Sequence, residues 1–397
     1  MSSSPSKPSF GQQLYALVAL TLVSTAIGFT MKYSQVAGTY KFSPASCVVM
    51  TECFKLVCSV LIAAKLLLQE SQTEQVTFQV SLKQFVQKNF TSTVFMHELG
   101  LAVAYSVVNI VTYSIFQHAP ASMFFLIKAA SPVVTAVMLR ILVNRAVSGT
   151  QWFSITMQCV GLLVTQYNAC TGSAVVSALG YFLIFVNVAV SCFAGVWNEH
   201  IIKNYGTSVN AQNIILYSCG MFINFLAFLI LPHTMLGLDR PYGFFEGYNW
   251  AVASVVVASG SIGLVITAVY KYADVVVKTF GLAGSTVTLF LLEKLGILPA
   301  SSSGTPALIV FGGAIVVFYA AYLYIAPALE AEPVKAALME EGERANAASE
   351  KRAAPLVHQN VVSAYLPRDY RISLLAMLAV ASVLFGFFGQ SCGDMQL

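Results

Sequence analysis

Residues 120–139 read PASMFFLIKAASPVVTAVML and residues 273–292 read ADVVVKTFGLAGSTVTLFLL, and each apolar stretch contains a single lysine. These lysines, Lys128 and Lys278, stand 150 positions apart, and small residues follow each one. A lone ammonium near the centre of a bilayer costs roughly 2.5–3.5 kcal/mol, so it normally faces a watery cavity and has a partner. Two such lysines at matching places predict a cavity between two repeats that binds an anion. The alternative is that each lysine snorkels or pairs with a nearby carboxylate.

The composition indicates an integral membrane protein. Of the 397 residues, 57% are hydrophobic and 10% are charged, whereas a soluble domain carries about 25% charged residues. Ten apolar runs are long enough to cross a bilayer as helices, at 13–31, 44–68, 93–116, 120–143, 150–167, 176–198, 210–231, 250–270, 276–296 and 306–327. With matching lysines in the fourth and ninth, they predict an all-α, polytopic protein of ten transmembrane helices. We expect a five-plus-five inverted repeat, the plan of alternating-access carriers.

The composition changes outside this ten-helix region. Residues 1–12 form a short polar tail, and residues 13–327 form the ten-helix domain. Residues 328–371 are charged and Ala-rich without apolar periodicity, which is typical of a cytosolic linker. The C-terminal apolar segment, 372–397, contains an eleventh run near 372–389 that is long enough to cross the membrane. A re-entrant or lipid-facing anchor is the alternative.

Charge and cysteine patterns narrow the functional class. Most lysine and arginine residues fall in connections on the side of the N-terminus, which predicts that this side is cytosolic. The basic residues form no clustered face of the kind that binds nucleic acid, so nucleic-acid binding is not indicated. The eight cysteines include no CxxC pair and no cysteine–histidine cluster with zinc spacing, so no metal or other cofactor is expected. We also find no nucleophile elbow, and an enzyme is not expected.

An acidic and a basic residue share one face of the second predicted helix. Glu52 and Lys55, in TECFK, are three residues apart and can therefore form an ion pair. Pairing would lower the cost of placing both charges inside the membrane. A structural intrahelical pair and a direct ligand contact both remain open for these residues.

Two amide–phenol pairs stand at helical spacing in other apolar runs. Tyr105 and Asn109 are four residues apart in the third run, and Asn213 and Tyr217 repeat that spacing in the seventh. An amide and a phenol together can bind the edge of a nucleobase and stack on its ring. The alternative for each pair is a hydrogen bond between helices.

Five stretches of the chain resemble, in the same order, the nucleotide-sugar transporter family. They are PASCVVMTECFKL, VMLRILVNRAVSGTQW, CFAGVWNEHIIK, AQNIILY and VYKYADVVVKTF. The resemblance covers roughly residues 13–327. It is strongest to the branch that includes the Golgi carriers of CMP-sialic acid, UDP-galactose and UDP-N-acetylglucosamine.

The resemblance implies a ten-helix drug/metabolite-transporter fold that exchanges a cytosolic nucleotide sugar for a luminal nucleoside monophosphate. It implies that Lys128 and Lys278 contact the nucleotide phosphate. It also implies that Asn109, Asn213 and Tyr217 lie at the nucleotide end. Glu52 matches the glutamate of the second span, and Lys55 stands one turn further on.

The third and fourth spans depart from the family pattern. The third usually reads Tyr-x-x-Gln-Asn-Asn, but here residues 105–110 are YSVVNI. The fourth usually carries Tyr-Gln twice before its lysine, where Ala121-Ser122 and Phe124-Phe125-Leu126 stand here. The missing groups are hydrogen-bond partners for the base and the sugar, whereas both lysines are retained.

The function expected from these patterns is antiport of a pyrimidine nucleotide sugar across the Golgi membrane, with the endoplasmic reticulum as the alternative compartment. A UDP-linked sugar is the expected substrate. Expected partners are the nucleotide sugar, the nucleoside monophosphate and the lipid bilayer, with a homo-oligomer or glycosyltransferases as further candidates. Two other functions stay open. One is exchange of another organic phosphate or drug-like metabolite on the same fold, and the other is a non-transporting membrane scaffold for glycosyltransferases.

Overall fold

A computed structural model of the protein describes residues 10–34, 40–118, 124, 127–166, 178–236, 238, 240–297 and 307–326. Within these ranges every regular element is a helix, which confirms the predicted all-α class. The predicted linker and the eleventh apolar segment, 328–397, lie outside the described residues.

The described part of the chain contains eleven α-helices and one short 3₁₀-helix, His233–Leu236. The α-helices are α1 (Phe10–Tyr33), α2 (Pro44–Thr73), α3 (Phe78–Asn89), α4 (Ser92–His118), α5 (Ser131–Leu142), α6 (Gly149–Gln166), α7 (Ala178–Asn204), α8 (Val209–Ile230), α9 (Trp250–Tyr272), α10 (Val275–Lys294) and α11 (Ala307–Ile325). Eight of them are long and apolar enough to cross a membrane: α1, α2, α4, α7, α8, α9, α10 and α11. The helix α5 is apolar but shorter, and α6 has 18 residues. The chain is therefore a polytopic membrane protein.

The long helices are apolar around their whole circumference, which is typical of helices that face lipid as well as protein. Phe182, Phe185 and Ile315, for example, are exposed on the outside of the bundle. Polar caps set several helix starts. The side chain of Asn249 accepts a hydrogen bond from the backbone N–H of Val252, at 3.1 Å, where α9 begins.

The connection 69–92, which lies between the second and third predicted spans, is mostly helical. The helix α2 continues to Thr73, since LLLQES is rich in helix-forming residues. The helix α3 then exposes apolar side chains such as Leu82 and Val86 beside Lys83. This arrangement is typical of a helix that lies in the membrane interface.

The membrane helices pack as two groups of three and two pairs. One group is α1, α9 and α10, the other is α4, α5 and α7, and the pairs are α2 with α8 and α6 with α11. With α1, α2, α4, α5 and α6 counted as the first five spans, these packings recur when each span is exchanged for the one five places away. Thus α1 packs on α9 as α7 packs on α4, and α1 packs on α10 as α7 packs on α5. The exchange supports the predicted five-plus-five repeat.

Two glycines permit the close crossing of α6 and α11. A methyl group added at Gly161 would lie 2.9 Å from a Val317 methyl and 3.2 Å from the carbonyl oxygen of Gly313. Membrane helices commonly use small residues for such backbone-to-backbone contact. The pair therefore holds the fifth and tenth spans together at the side of the bundle.

Candidate functional site

A cavity of about 530 Å³ lies among the described residues, between the two three-helix groups. This volume falls within the range of small-molecule sites. The cavity extends from Lys278 to Phe42 and Tyr40, beside the start of α2. We call this the mouth end of the bundle. The start of α9 lies at the same end, because Cys47 packs in one cluster with Val252.

The predicted ion pair of the second span is present, and it faces the cavity. Lys55 Nζ lies 2.5 Å from Glu52 Oε1 and 4.6 Å from the centroid of the Tyr217 ring. All three side chains line the cavity. The lack of a side chain at Gly263 leaves room for the stem of Lys55. The pair is therefore intrahelical, and both of its side chains line the cavity.

Tyr105 and Asn109 of α4 also line the cavity, as expected for residues one turn apart. The Tyr105 hydroxyl accepts a hydrogen bond from Asn198 Nδ2 at 3.2 Å, which fixes the phenol against α7. One residue further along α4, Ser106 Oγ accepts a hydrogen bond from Asn224 Nδ2 of α8 at 3.0 Å. These contacts place polar groups from three helices on one cavity wall.

The two intramembrane lysines occupy different positions relative to the cavity. Lys278 lines it, and its Nζ donates a hydrogen bond to the Tyr270 hydroxyl at 2.9 Å. Lys128 is not part of the wall, and its Nζ lies 4.9 Å from the centroid of the Phe124 ring, which is in the wall. Among the described residues, neither lysine forms a salt bridge with a carboxylate.

The amide of the seventh predicted span lies behind the cavity wall. Asn213 is buried, and its Oδ1 accepts a hydrogen bond from Thr267 Oγ1 at 3.2 Å. Thr267 itself lines the cavity. Asn213 can therefore orient Thr267, whereas the structure shows Tyr217 as the member of the predicted pair that faces the cavity.

Three buried amides near the cavity are not among the candidate site residues that the sequence predicts. Asn198 and Asn224 line the cavity, and Asn187 donates hydrogen bonds to the Val108 carbonyl at 3.0 Å and to Thr112 Oγ1 at 2.9 Å. A lone amide within an apolar helix is the same signal that singled out Asn109. Applied to every such amide, it would have included all three.

A network of charged residues lies at the other end of the bundle, beyond the cavity. We call this network the clamp; it consists of Arg145, Glu199, Lys203 and Asp274. Arg145 Nη2 lies 2.7 Å from Asp274 Oδ2, and Arg145 Nη1 lies 3.2 Å from Glu199 Oε1. Lys203 Nζ lies 2.6 Å from Glu199 Oε1 and 2.6 Å from the Ala273 carbonyl oxygen.

The clamp carboxylates also organise the backbone. Asp274 is the N-cap of α10, where its Oδ1 accepts a hydrogen bond from the Val277 N–H at 2.8 Å. Glu199 Oε2 accepts one from the Val275 N–H, also at 2.8 Å. The Tyr324 hydroxyl of α11 donates to Asp274 Oδ2 at 3.1 Å. Three of the five stretches that carry the family resemblance therefore meet in this network, and two of them also supply Asn198 and Lys278 to the cavity wall.

The described residues include no group of three histidine, cysteine, aspartate or glutamate side chains that could hold a metal ion. The chemistry available at the cavity is instead that of ammonium groups, phenols and amides. Such a set suits reversible binding of an organic anion.

Comparisons with known proteins agree with this chemistry. The model of a family described as "Nucleotide-sugar transporter" matches residues 9–325. CMP-sialic acid transporter 2 of Oryza sativa subsp. japonica is 26% identical over 296 residues, which cover 73% of this chain and 80% of that protein. CMP-sialic acid transporter 1 of Arabidopsis thaliana is 27% identical over 324 residues, 79% of this chain and 89% of that protein. A crystal structure aligns at 12% identity with a TM-score of 0.57, over 81% of this chain and 99% of the other, and shows a shared fold.

Proposed function

This chain belongs to the nucleotide-sugar transporter family, and we propose that it is an antiporter for a pyrimidine nucleotide sugar. In this proposal the substrate, UDP-linked, moves from the cytosol into the Golgi lumen in exchange for a nucleoside monophosphate. The mouth end faces the lumen, as expected if the positively charged clamp end lies in the cytosol.

The observation that carries the proposal is that neither lysine has a carboxylate partner among the described residues. Lys278 lines the cavity, and Lys128 Nζ lies 4.9 Å from the centroid of the Phe124 ring, which is in the cavity wall. Uncompensated charges inside a membrane are costly and mark ligand paths. The phosphate groups of a nucleotide sugar would supply the missing negative charge and accept charge-assisted hydrogen bonds.

The same charges account for exchange rather than one-way transport. An empty cavity leaves the ammonium groups of Lys128 and Lys278 unpaired while the helices rearrange, which raises the barrier to return. A nucleoside monophosphate restores a phosphate partner and so lowers that barrier. A free sugar has no phosphate and cannot do so.

The proposed base class rests on several observations. The relatives named above are CMP-sialic acid transporters, and CMP and UDP both carry pyrimidines. Tyr217 and Tyr105 provide phenols in the cavity wall for a base to stack on, and Asn109 provides an amide for its edge. Phe124 lines the wall near the place where family members carry Tyr-Gln, which makes this part of the site apolar. We therefore expect a sugar preference different from that of the CMP-sialic acid carriers.

Uptake into proteoliposomes tests the proposal. Purified protein is reconstituted into vesicles preloaded with UMP, CMP, GMP or buffer, and uptake of labelled UDP-, CMP- and GDP-sugars is measured. We expect UDP-sugar uptake to be fastest into UMP-loaded vesicles and to be unaffected by internal free sugar. Equal uptake into loaded and empty vesicles would exclude obligatory exchange. Uptake of other organic phosphates alone would favour the broader exchanger, and no uptake of any phosphate compound would favour the scaffold.

A further inference from the structure

We propose that the clamp is the gate at the cytosolic end of this transporter and that the turn between α9 and α10 couples the gate to ligand binding at Lys278. The inference rests on the proposed function for the identity of the ligand. The gate itself is argued from contacts alone.

The clamp joins the two three-helix groups. Arg145 follows α5 and Glu199 and Lys203 belong to α7, so all three lie on the group of α4, α5 and α7. Their partners Asp274, Ala273 and Val275 lie between α9 and α10 or at the start of α10, on the other group. Three polar contacts therefore cross between the groups, at 2.7 Å from Arg145, 2.6 Å from Lys203 and 2.8 Å to Glu199. Separation of the groups at this end requires all three contacts to break.

The clamp lies between the cavity and the end of the bundle. Lys278 lines the cavity, and its backbone N–H bonds to the Asp274 carbonyl one helical turn away, at 3.2 Å. No clamp residue lines the cavity. In the described residues the cavity therefore extends to the mouth end, at residues such as Phe42, and stops short of the clamp. In an alternating-access carrier the other state must reverse this arrangement.

Burial of the clamp is uneven, which suits a gate that opens. The carboxylates of Glu199 and Asp274 are buried, whereas the side chains of Arg145 and Lys203 are 38% and 37% exposed. The cations already contact water and lose little on release. Opening would hydrate the carboxylates, which offsets much of the loss of their partners. In a wholly buried network the cations would not already contact water, and opening would cost more free energy.

The turn between α9 and α10 connects the gate with the ligand site. Lys278 Nζ donates to Tyr270 on the α9 side of this turn, while Asp274 at the centre of the turn bonds to Arg145. A phosphate that binds Lys278 competes with the Tyr270 hydroxyl for its ammonium. Ligand binding then releases one of the ties that hold the turn in its clamp-closed form. The expected consequence is easier opening of the gate when the cavity is occupied.

A native cysteine allows the gate to be tested without substrate. Cys192 is buried outside the cavity wall, where its thiol lies 3.5 Å from the Ser131 carbonyl oxygen, and it stands two helical turns before Glu199 on α7. We expect 2-sulfonatoethyl methanethiosulfonate, which does not cross membranes, to reach Cys192 from the clamp side only when the gate opens. Reagent is added to sealed vesicles on either face, and modification of Cys192 is quantified by mass spectrometry, with Cys192→Ser as the blank.

Arg145→Gln is the test variant. Because it removes two charge-assisted hydrogen bonds, we expect clamp-side modification of Cys192 to be about ten- to a hundredfold faster than in the native protein. Arg145→Lys, which keeps the charge but loses the planar fork, should give an intermediate rate. Arg240→Gln is the matched control, because Arg240 forms its salt bridge with Glu246 at the mouth end and within one loop.

The outcomes distinguish a gate at the clamp from a general loosening of the fold. An unchanged rate in Arg145→Gln overturns the gate, and so does equal acceleration from both faces, which would show that the whole bundle has loosened. Thermal unfolding monitored by tryptophan fluorescence verifies that each variant is folded. In the native protein, UMP should accelerate clamp-side modification. Lys278→Ala removes both the phosphate site and the hydrogen bond to Tyr270, so it should raise the ligand-free rate and abolish any further effect of UMP. If UMP has no effect while Arg145→Gln still accelerates modification, the coupling to the nucleotide site is wrong and the gate stands.

Discussion

The two ends of the bundle are held by different kinds of contact. Among the described residues, the mouth-end contacts include aromatic and neutral ones: the rings of Phe42 and Tyr248 lie 6.3 Å apart, and the hydroxyls of Ser46 and Tyr248 lie 3.1 Å apart. A salt bridge described there, Arg240 with Glu246, is exposed and stays within one loop. At the clamp end, buried carboxylates accept several hydrogen bonds each, and charged contacts cross between the helix groups.

This difference predicts which end of the bundle contributes more to the free energy of unfolding. Exposed ion pairs contribute little to stability because water competes for both partners. A buried carboxylate depends on its partners, since removal of one leaves an uncompensated charge. Substitutions of similar chemistry should therefore have large effects at the clamp end and small effects at the mouth end.

The largest expected effect is that of Asp274→Ala. Asp274 is 6% exposed, accepts hydrogen bonds from Arg145, Tyr324 and the Val277 N–H, and caps α10. We expect its loss to lower the free energy of unfolding by about 3–5 kcal/mol. Thermal or denaturant unfolding in detergent, followed by tryptophan fluorescence, measures the change.

Two variants sharpen this comparison of the ends. Asp274→Asn keeps a good helix cap but removes the charge, so it separates capping from ion pairing and should lie between the native protein and the alanine variant. Glu246→Gln alters an exposed carboxylate at the mouth end and should leave the unfolding transition unchanged. If Glu246→Gln and Asp274→Ala destabilise the protein equally, the proposed contrast between the ends is wrong.

The sequence predicts the positions of the helices well and their partners poorly. Apolar runs such as 210–231 and 250–270 match α8 and α9 to within two residues, because length and hydropathy are local properties of the chain. The helix α3 was missed because it lies at the membrane interface, where mixed polar and apolar residues look like a loop.

The clamp could not be predicted from residue pattern. Arg145 and Asp274 are separated by 129 residues, and each stands in a connection where a charge is ordinary. Only the packing of α7 beside the start of α10 shows that they share Glu199 as a neighbour. The cavity was more accessible to prediction, since a charge or amide inside an apolar run is conspicuous. Even so, the wall contains Tyr217 and excludes Asn213, a distinction that depends on helix rotation.

The next largest effect is expected at Lys278, which links the two ends through α10. Loss of a charge-assisted hydrogen bond costs about 1.5–3 kcal/mol, so Lys278→Ala should weaken binding of both nucleotide sugar and monophosphate roughly ten- to over a hundredfold. Stability should be unchanged or higher, because a costly intramembrane charge is gone. Ligand-induced thermal stabilisation measures the affinity, and the ligand-free melting temperature measures stability.

Two further lysines serve as comparisons for this prediction. Lys271 lies at the end of α9, exposed and outside the cavity wall, so Lys271→Ala should bind ligand as the native protein does. Under the proposed function, Lys128→Ala should weaken binding as well, because its ammonium lies against Phe124 of the cavity wall. Retention of full stabilisation by UMP in Lys278→Ala would remove Lys278 from the site.

The smallest expected effect has the opposite sign and separates paired from unpaired carboxyl groups within the clamp end. Glu98 lies near the start of α4 beside His97, whose ring packs against Trp197 of α7, with the centroids 5.4 Å apart. Glu98 is 1% exposed, and neither carboxyl oxygen has a hydrogen-bond partner among the described residues. An unsatisfied buried polar group is destabilising. Because methionine has a shape similar to that of glutamate, Glu98→Met should raise the free energy of unfolding by about 1 kcal/mol.

Glu199 provides the comparison. Glu199→Met removes a carboxylate that accepts hydrogen bonds from three donors, so it should lower the free energy of unfolding by about 3–5 kcal/mol. Equal destabilisation by both substitutions would show that a buried carboxyl at this end contributes by its position rather than by its partners, and the clamp would then lose its energetic distinction.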